Sequence, residues 1–300
     1  MQTRTASHHP SAHTSAEDRP WVVGLDLGER SLGALVVANW LGEGSDHVVG
    51  VYVLEAWSRP YVADDVITSV HHAVTAAATR QGVPPPVRVI VHEANQAEDG
   101  LAHAAEGAAG LVIGRAAGAG EESFVRLGPV ARRLLRRLPG PVVVVPRDLA
   151  ALPPGPILLA TDLGDATAAA LPFAQRLAAR HGRPLELVHV GEPRNSDLID
   201  EFEPSWLAAR EEYRAEVERA FDVWMHDNHL GREPRHVVYG EPATKIAEIA
   251  AARQAALVIV GSRRLGAAMR MFLSSTASTL AGAATCPVAV VPPSSSTDSA

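Results

Sequence analysis

The sequence predicts an α/β protein made of two tandem, doubly wound domains, each with a five-stranded parallel sheet flanked by helices. Three observations support this prediction. The two halves of the 300-residue chain repeat the same landmarks, each half contains five short apolar runs, and helix-like segments separate those runs. The chain is about twice as long as a typical domain of roughly 100 to 200 residues, so it has room for two separate cores.

The repeat is carried by three pairs of segments. Each half opens with an apolar strand ending in aspartate, contains an apolar run ending in glycine, and closes with a run dominated by valine between two prolines. In order, these pairs are 22–26 and 157–162, 111–114 and 258–261, and 141–146 and 287–292. Repetition at so long a period indicates a duplicated domain rather than a solenoid. The second copy is longer, and a charged helical stretch at 204–228 accounts for the gain.

The predicted strands are apolar and rich in β-branched residues, which is typical of strands buried on both faces of a parallel sheet. In the first half they are 21–25, 47–53, 88–91, 111–113 and 142–145. In the second half they are 157–161, 185–190, 236–239, 257–260 and 288–291. Strands that alternate with helices favour a right-handed doubly wound sheet, in which ligands bind at the carboxyl ends of the strands where the strand order reverses.

Two helices of the second half show clear apolar periodicity. A helix is predicted at 166–180, where Pro172 either kinks it or marks its first turn. A second helix is predicted at 206–228. Its inward-facing residues are Leu207, Tyr213, Val217, Phe221 and Trp224. This aromatic stripe is typical of a helix that packs on a core rather than of a cofactor site.

The domain boundaries follow from composition. We predict domain 1 at residues 20–147, a linker at 148–156, domain 2 at 157–293, and disordered polar tails at 1–19 and 294–300. Three prolines and a glycine within the linker cannot extend either flanking element, which makes the boundary sharp.

The two closing strands pose a physical problem. A valine run at a sheet edge presents unpaired backbone groups beside exposed apolar side chains, which promotes association. Two copies in one chain solve this problem if the run at 142–145 pairs with the run at 288–291. We therefore predict an internal pseudo-dimer of the two domains, and the sequence leaves a further homodimer open.

Composition narrows the partners and the compartment. With 34 Asp and Glu residues against 27 Lys and Arg residues, the net charge of −7 lacks the broad positive field needed for sequence-independent nucleic-acid binding. No run reaches the roughly 18 apolar residues of a spanning helix, and the first twenty residues lack the apolar run of a signal peptide. The single cysteine, Cys286, excludes an intrachain disulfide and is expected to be a small buried hydrophobe. We expect a cytoplasmic protein with no nucleic-acid or membrane partner.

The loop after the run at 257–260 is the main candidate for a binding site. It opens with Gly261 and continues through Arg263 and Arg264, and the hydroxyl residues at 274–276 then begin a helix. Hydroxyl groups and free backbone N–H groups at the start of a helix can bind an anion, although serine is also an ordinary helix cap.

These segments resemble the universal stress protein family, in tandem form, over both halves. The similar landmarks are 162–165, 188–190, 240–243, 260–263 and 286–288. The resemblance implies a Rossmann-like domain of the adenine nucleotide alpha-hydrolase-like class. In the ATP-binding members, a G-x-x-G sequence follows the fourth strand, and nine residues later comes G-S or G-T.

The resemblance also implies where a nucleotide would bind in the second domain. The implied residues are Asp162, Val190, Gly261, Arg263, Arg264, Ser274, Ser275 and Thr276. Asp162 would orient the adenosine, Val190 would lie beside the base, and Gly261 would contribute backbone. The hydroxyl residues at 274–276 would meet phosphate. The implied cofactor is ATP, with Mg²⁺ only as a companion of its phosphates.

Both domains depart from the family pattern. Arg264 and Ser274 stand where the second and third glycines belong, and Arg264 either blocks the phosphate channel or donates to it. In the first domain Arg115 begins a loop without the second glycine, and Pro129 stands opposite Ser275. Proline offers neither hydroxyl nor N–H, so we predict that the first domain is a structural or regulatory partner.

The sequence therefore predicts a non-catalytic stress-response binding module with neither a catalytic set nor a metal site. His226 and His229 form a weak pair with no assured third ligand. Two alternatives stay open. One is a slow ATP hydrolase, with Asp165 as the nearest water-orienting carboxylate. The other is a ligand-free interaction protein, in which the serines only cap a helix.

Overall fold

The computed structural model describes residues 19–26, 30–59, 65–80, 82–115, 127–147, 149–191, 204–262 and 275–293. The tails predicted at 1–19 and 294–300 lie outside these residues, apart from Arg19.

Ten strands and eight helices alternate along the described residues. The first half contains β1 (Trp21–Leu25), α1 (Arg30–Leu41), β2 (Val48–Glu55), α2 (Val66–Arg80), β3 (Arg88–Ala94), α3 (Ala97–Ala104), β4 (Gly110–Gly114), α4 (Pro129–Arg137) and β5 (Val142–Val145). The second half contains β6 (Ile157–Thr161), α5 (Asp165–Arg180), β7 (Leu185–Gly191), α6 (Pro204–Asp227), β8 (Arg235–Tyr239), α7 (Pro242–Ala252), β9 (Leu257–Gly261), α8 (Ser275–Ala283) and β10 (Val288–Val291). All ten predicted strands are present.

The strands form one sheet in the order β3-β2-β1-β4-β5-β10-β9-β6-β7-β8. Every pairing within a half is parallel. The strand order of each half reverses once, between β1 and β4 and again between β6 and β9. This is the predicted fold class: two tandem doubly wound domains, each with a five-stranded parallel sheet.

The two halves meet at β5 and β10, which pair antiparallel. Val144 lies opposite Val288, Val143 opposite Ala289, and Val142 opposite Val290. All six side chains are at most 1% exposed. The pairing predicted between the closing strands is therefore present, and it satisfies the backbone edge that each domain would expose alone.

The core lies on both faces of the sheet and crosses the seam between β5 and β10. Helices α1, α2, α5 and α6 cover one face, and α3, α4, α7 and α8 cover the other. Each face has one continuous cluster that contains residues of both halves. Folding of one half therefore supports the packing of the other.

Two predicted helices differ from the structure in detail. Helix α5 starts at Asp165, so Pro172 lies well inside it rather than in its first turn. Helix α6 has 24 residues, whereas its counterpart α2 has 15, which locates the extra length of the second copy. Of the predicted inward stripe on α6, Val217, Phe221 and Trp224 are buried. Tyr213 is half-buried, and the side chain of Leu207 lies outside the description.

Helices α1 and α5 form a second contact between the domains. The rings of Trp40 and His181 stack with their centroids 4.1 Å apart, and Arg180 lies 3.5 Å from Glu43. Burial is the main cause that lowers the pKa of His181, because it disfavours the charged imidazolium. The ring therefore stacks in its neutral form near pH 7.

An ion network centred on one buried carboxylate joins β7, β8 and the end of α7. Glu186 on β7 is 2% exposed. Its carboxylate accepts hydrogen bonds from Arg253 at 2.5 and 3.0 Å, and its Oε2 lies 2.7 Å from Nε2 of His236. Burial raises the pKa of Glu186, but hydrogen bonds and attraction from Arg253 and His236 outweigh it and leave the pKa lowered. The ionised carboxylate therefore stabilises the outer strands of domain 2.

Cys286 lies just before β10 and is 3% exposed. Burial raises the pKa of its thiol to about 12, so the side chain acts as the small hydrophobe that was predicted. Within the ranges that the structure describes, no helix has the length and apolar content needed to cross a bilayer.

The seam generates the first prediction. Val143→Asp places a charge among buried valines, because Val143 is 0% exposed and lies opposite Ala289. We expect a loss of about 4 kcal/mol or more in the free energy of unfolding, measured by urea denaturation.

The matched control is Val223→Asp, which makes the same chemical change on α6 at a residue that is 59% exposed. It should change the free energy of unfolding by less than about 0.5 kcal/mol. Equal losses in the two variants would contradict the role of the seam.

The network around Glu186 generates the second prediction. Because the pKa of Glu186 is lowered in the folded state, its ionised form contributes stability above its ordinary value of 4.5, and this contribution is lost as the pH falls through the folded pKa. Glu186→Gln should therefore lose about 1 to 3 kcal/mol at pH 7, and the difference from the unsubstituted protein should shrink in acid.

Urea denaturation at several pH values measures this dependence. Glu248→Gln is the control, because Glu248 is 56% exposed and pairs with Lys245 on the surface of α7. It should cost little at any pH. A difference between Glu186→Gln and the unsubstituted protein that stays constant with pH would contradict the prediction.

Candidate functional site

The candidate site lies at the carboxyl edge of the second sheet, where the strand order reverses between β6 and β9. Thr161 lies opposite His189, the last pair between β6 and β7, so Asp162 follows β6 beside Val190, which lies in β7 and pairs with Val238 of β8. On the other side, Ala160 lies opposite Val260. The structure therefore places Asp162, Val190 and the end of β9 at the same edge of the sheet.

Asp162 is exposed and is fixed by the turn into α5. Its Oδ1 accepts hydrogen bonds from the backbone N–H of Gly164 and from Oγ1 of Thr167, both at 3.1 Å. Leu163 has a φ of 59°, and its N–H donates to Oγ1 of Thr161 at 2.8 Å. This tight turn holds the carboxylate at the sheet edge in a defined orientation.

Gly261 ends β9 and packs against the first turn of α5. A Cβ atom added there would lie 2.2 Å from the carbonyl oxygen of Ala166 and 2.5 Å from its carbonyl carbon. Glycine is therefore needed for close contact between strand and helix. The resemblance implies Gly261 only as backbone beside a ligand, whereas the fold requires it for packing.

Three helix starts near this edge differ in charge. Asp162 accepts from the start of α5, and Glu241 accepts from the N–H groups of Ala243 and Thr244 at the start of α7, at 3.1 and 2.7 Å. Hydrogen bonding from Thr244 is the main cause that lowers the pKa of Glu241, against partial burial. The first turn of α8, by contrast, contains no acidic residue.

Helix α8 begins at Ser275, followed by the half-buried Thr276 and the buried Ala277. A helix that precedes a parallel strand runs antiparallel to it, so α8 begins at the carboxyl edge of the sheet. Arg263, Arg264 and Ser274 lie outside the described residues, as does the side chain of Ser275. Their contacts with a nucleotide stay predictions.

The equivalent edge of the first domain is built differently. Asp26 follows β1 and is exposed, as Asp162 is after β6. Helix α4 begins at Pro129, after Gly128, which makes no side-chain capping bond. Proline thus occupies the start of α4 where serine occupies the start of α8, as the sequence alignment of the two halves predicted.

The sequence missed one long-range contact at this edge. Nη1 of Arg115, the residue after β4, donates to the carbonyl oxygens of Ala284 at 2.9 Å and Ala281 at 3.3 Å, at the end of α8. Sequence reasoning had treated Arg115 only as a departure from the glycine pattern. Residues separated by 166 and 169 positions carry no local signal of such a contact.

In the part of the chain that the structure describes, no three His, Cys, Asp or Glu side chains are grouped closely enough to hold a metal ion.

Comparisons with known proteins agree with this architecture. A sequence model of the universal stress protein family matches residues 19–146 and 155–292. The chain is 34% identical over 195 residues to a universal stress protein of Mycolicibacterium smegmatis, a match covering 64% of this chain and 65% of that relative. The chain thus spans just under two thirds of that relative's length.

Two further comparisons concern a shorter relative and a solved structure. The chain is 36% identical over 135 residues to a protein of Thermus aquaticus named "universal stress protein in QAH/OAS sulfhydrylase 3'region", which covers 45% of this chain and 96% of the relative. The structure of a universal stress protein from Archaeoglobus fulgidus aligns with a TM-score of 0.60 at 20% identity, over 92% of this chain and 99% of that one. This likeness shows the fold.

The family pattern matches both halves, and the duplicated sheet places the same landmarks at the same positions in each. The chain therefore belongs to the universal stress protein family, in its tandem two-domain form.

Proposed function

We propose that this protein is a non-catalytic binding module of the stress response whose second domain binds an adenine nucleotide, with ATP as the expected ligand. Membership of the universal stress protein family supports the stress-response role. The first domain serves as the structural partner of the second, and Mg²⁺ enters only with the phosphates of the nucleotide.

One observation carries the nucleotide proposal. Helix α8 begins at the same carboxyl edge of the sheet as Asp162 and Val190, and its first turn contains hydroxyl residues and no acid. The dipole of a helix is positive at its start, which favours an anion there. The neighbouring starts of α5 and α7 are less suited to phosphate, because carboxylates of the protein already accept from them.

The two ends of a nucleotide meet complementary chemistry at this edge. Asp162 is an exposed residue whose carboxylate can accept from the hydroxyl groups of a ribose, and its bonds from Gly164 and Thr167 keep it oriented. Val190 is half-buried and packs against the core, so it offers an apolar surface to a base. Phosphate would then extend toward the start of α8.

The start of the equivalent helix explains why we assign binding to the second domain. Pro129 at the first position of α4 has no N–H and no hydroxyl group, so α4 lacks two donors that Ser275 supplies to α8. This difference can be exchanged between the domains with little risk to the fold, because proline is well tolerated at the first position of a helix.

This exchange gives the third prediction. Ser275→Pro should weaken the binding of MgATP to the full chain about tenfold or more, because a backbone N–H and a hydroxyl that meet a charged phosphate are removed. Isothermal titration calorimetry measures the dissociation constant, and thermal denaturation checks that the variant remains folded.

Pro129→Ser is the matched control, since it makes the reverse change at the start of α4. It should leave the affinity for MgATP unchanged. Binding by Ser275→Pro as tight as by the unsubstituted protein would exclude the start of α8 as the phosphate site. Mass spectrometry of gently purified protein adds a direct check, because a co-purifying nucleotide is incompatible with a ligand-free interaction protein.

Arg264→Gly decides between the two interpretations of the arginine. Glycine restores the small residue typical of the ATP-binding pattern, so a tighter complex with MgATP means that Arg264 blocks the channel. A weaker complex means that its guanidinium donates to the phosphates. Phosphate release measured on the same samples tests the slow hydrolase, which requires turnover above the rate without protein.

A further inference from the structure

Arg115 of the first domain forms hydrogen bonds with the candidate binding helix of the second. It follows β4 directly, at the start of the loop that would hold phosphate if the first domain kept the family pattern. Its Nη1 donates to Ala284 O at 2.9 Å and to Ala281 O at 3.3 Å, and both hydrogen bonds are partly buried. Arg115 of the first domain thus contacts the carboxyl end of α8, and the amino end of the same helix belongs to the candidate site of the second domain.

The antiparallel seam makes this contact possible. Val144, near the end of β5, lies opposite Val288, at the start of β10. The carboxyl ends of the strands of the first domain therefore lie beside the amino ends of the strands of the second domain. Helix α8 ends at that amino edge, because it runs from the carboxyl edge of its own domain and then leads into β10.

The chemistry of the contact suits its position. The last carbonyl groups of a helix have no intrahelical partner, and the end of the helix carries partial negative charge. A guanidinium satisfies those carbonyl oxygens and remains charged at all relevant pH values. Arg115 therefore stabilises the end of α8 and ties its position to the first domain.

The equivalent position of the second domain carries a different residue. The backbone N–H of Arg115 donates to Val145 O at 2.8 Å, and the backbone N–H of Ser262 donates to Val291 O at 2.8 Å, so the two residues occupy equivalent positions. A serine side chain is too short to span a domain boundary in this way. Helix α4 instead ends on Leu138, with a φ of 32°, whose N–H bonds to Leu134 O.

We propose that Arg115 is a positioning residue for the anion site of the second domain. It holds α8 from its carboxyl end, so that the amino end presents its donors at the edge of the sheet near Asp162. This inference rests on the proposed function for its effect on nucleotide, whereas its effect on α8 stands apart from any ligand. The two ends of one helix are then thermodynamically coupled, so loosening one weakens binding at the other.

The test compares three variants of the full chain. Arg115→Ala removes the cap, Arg115→Lys keeps the charge with a simpler donor, and Arg132→Ala removes the same charge from an exposed residue of α4. Backbone hydrogen exchange followed by mass spectrometry reports on α8 without nucleotide. Calorimetry with MgATP reports on binding, and thermal denaturation confirms that each variant is folded.

We expect Arg115→Ala to speed exchange in α8 about threefold or more and to weaken MgATP binding about threefold to tenfold, in line with the strength of a charge at a helix end. Arg115→Lys should recover part of both effects, and Arg132→Ala should show neither. Selective rescue by lysine separates positioning from a general loss of stability.

Three results would overturn the inference. Exchange in α8 that is the same in Arg115→Ala and the unsubstituted protein would show that the arginine does not hold the helix. Faster exchange with unchanged MgATP affinity would show that it does not position the site. If Arg132→Ala changed exchange and affinity as much as Arg115→Ala does, the effect would come from the net charge of the protein and not from the contact of Arg115 with α8. If the unsubstituted protein binds no MgATP, the proposed function fails, and the exchange data still decide whether Arg115 holds α8.

Discussion

The pairing of β5 with β10 is the constraint on which the rest of the architecture depends. Each domain alone would end in a run of valines with an open backbone edge, a surface that associates readily. Joining the two edges within one chain satisfies the backbone groups and buries the valines from both sides. The same pairing makes each core cluster continuous across both halves. The two domains therefore share their cores and are not separate units joined only by a linker.

The direction of that pairing also decides which parts of the domains meet. A parallel pairing would place the two carboxyl edges side by side and bring the two candidate sites together. The antiparallel pairing instead sets the carboxyl edge of one domain beside the amino edge of the other. The residue that follows β4, Arg115, therefore faces the end of a helix in the second domain.

The fold can be predicted from the sequence because local patterns of apolar residues indicate its strands and helices. Buried parallel strands appear as short apolar runs, and the paired valine runs predicted the seam. The sequence was insufficient where a residue is explained by a distant partner. Glu186 is paired with Arg253, 67 positions away, Gly261 is required by the backbone of Ala166, and Arg115 reaches across the domain boundary. Such pairs are created by the packing of elements, and neither member shows its role in its own segment.

The two domains carry different residues at equivalent positions, which is possible because they are parts of one chain. In a homodimer of identical chains, a residue that caps a helix of the partner has an identical copy in the partner that caps the first chain's helix. A substitution that removes a binding site from one chain likewise removes it from both. A tandem chain is free of this restriction. Here one equivalent position carries Arg115 and the other carries Ser262, and one helix starts with Pro129 where the other starts with Ser275. Under the proposed function these differences agree, because the start of α4 lacks the N–H and hydroxyl of a serine and the same domain caps the end of α8 through Arg115. Duplication would then allow one copy to support the edge at which we propose that the other copy binds nucleotide.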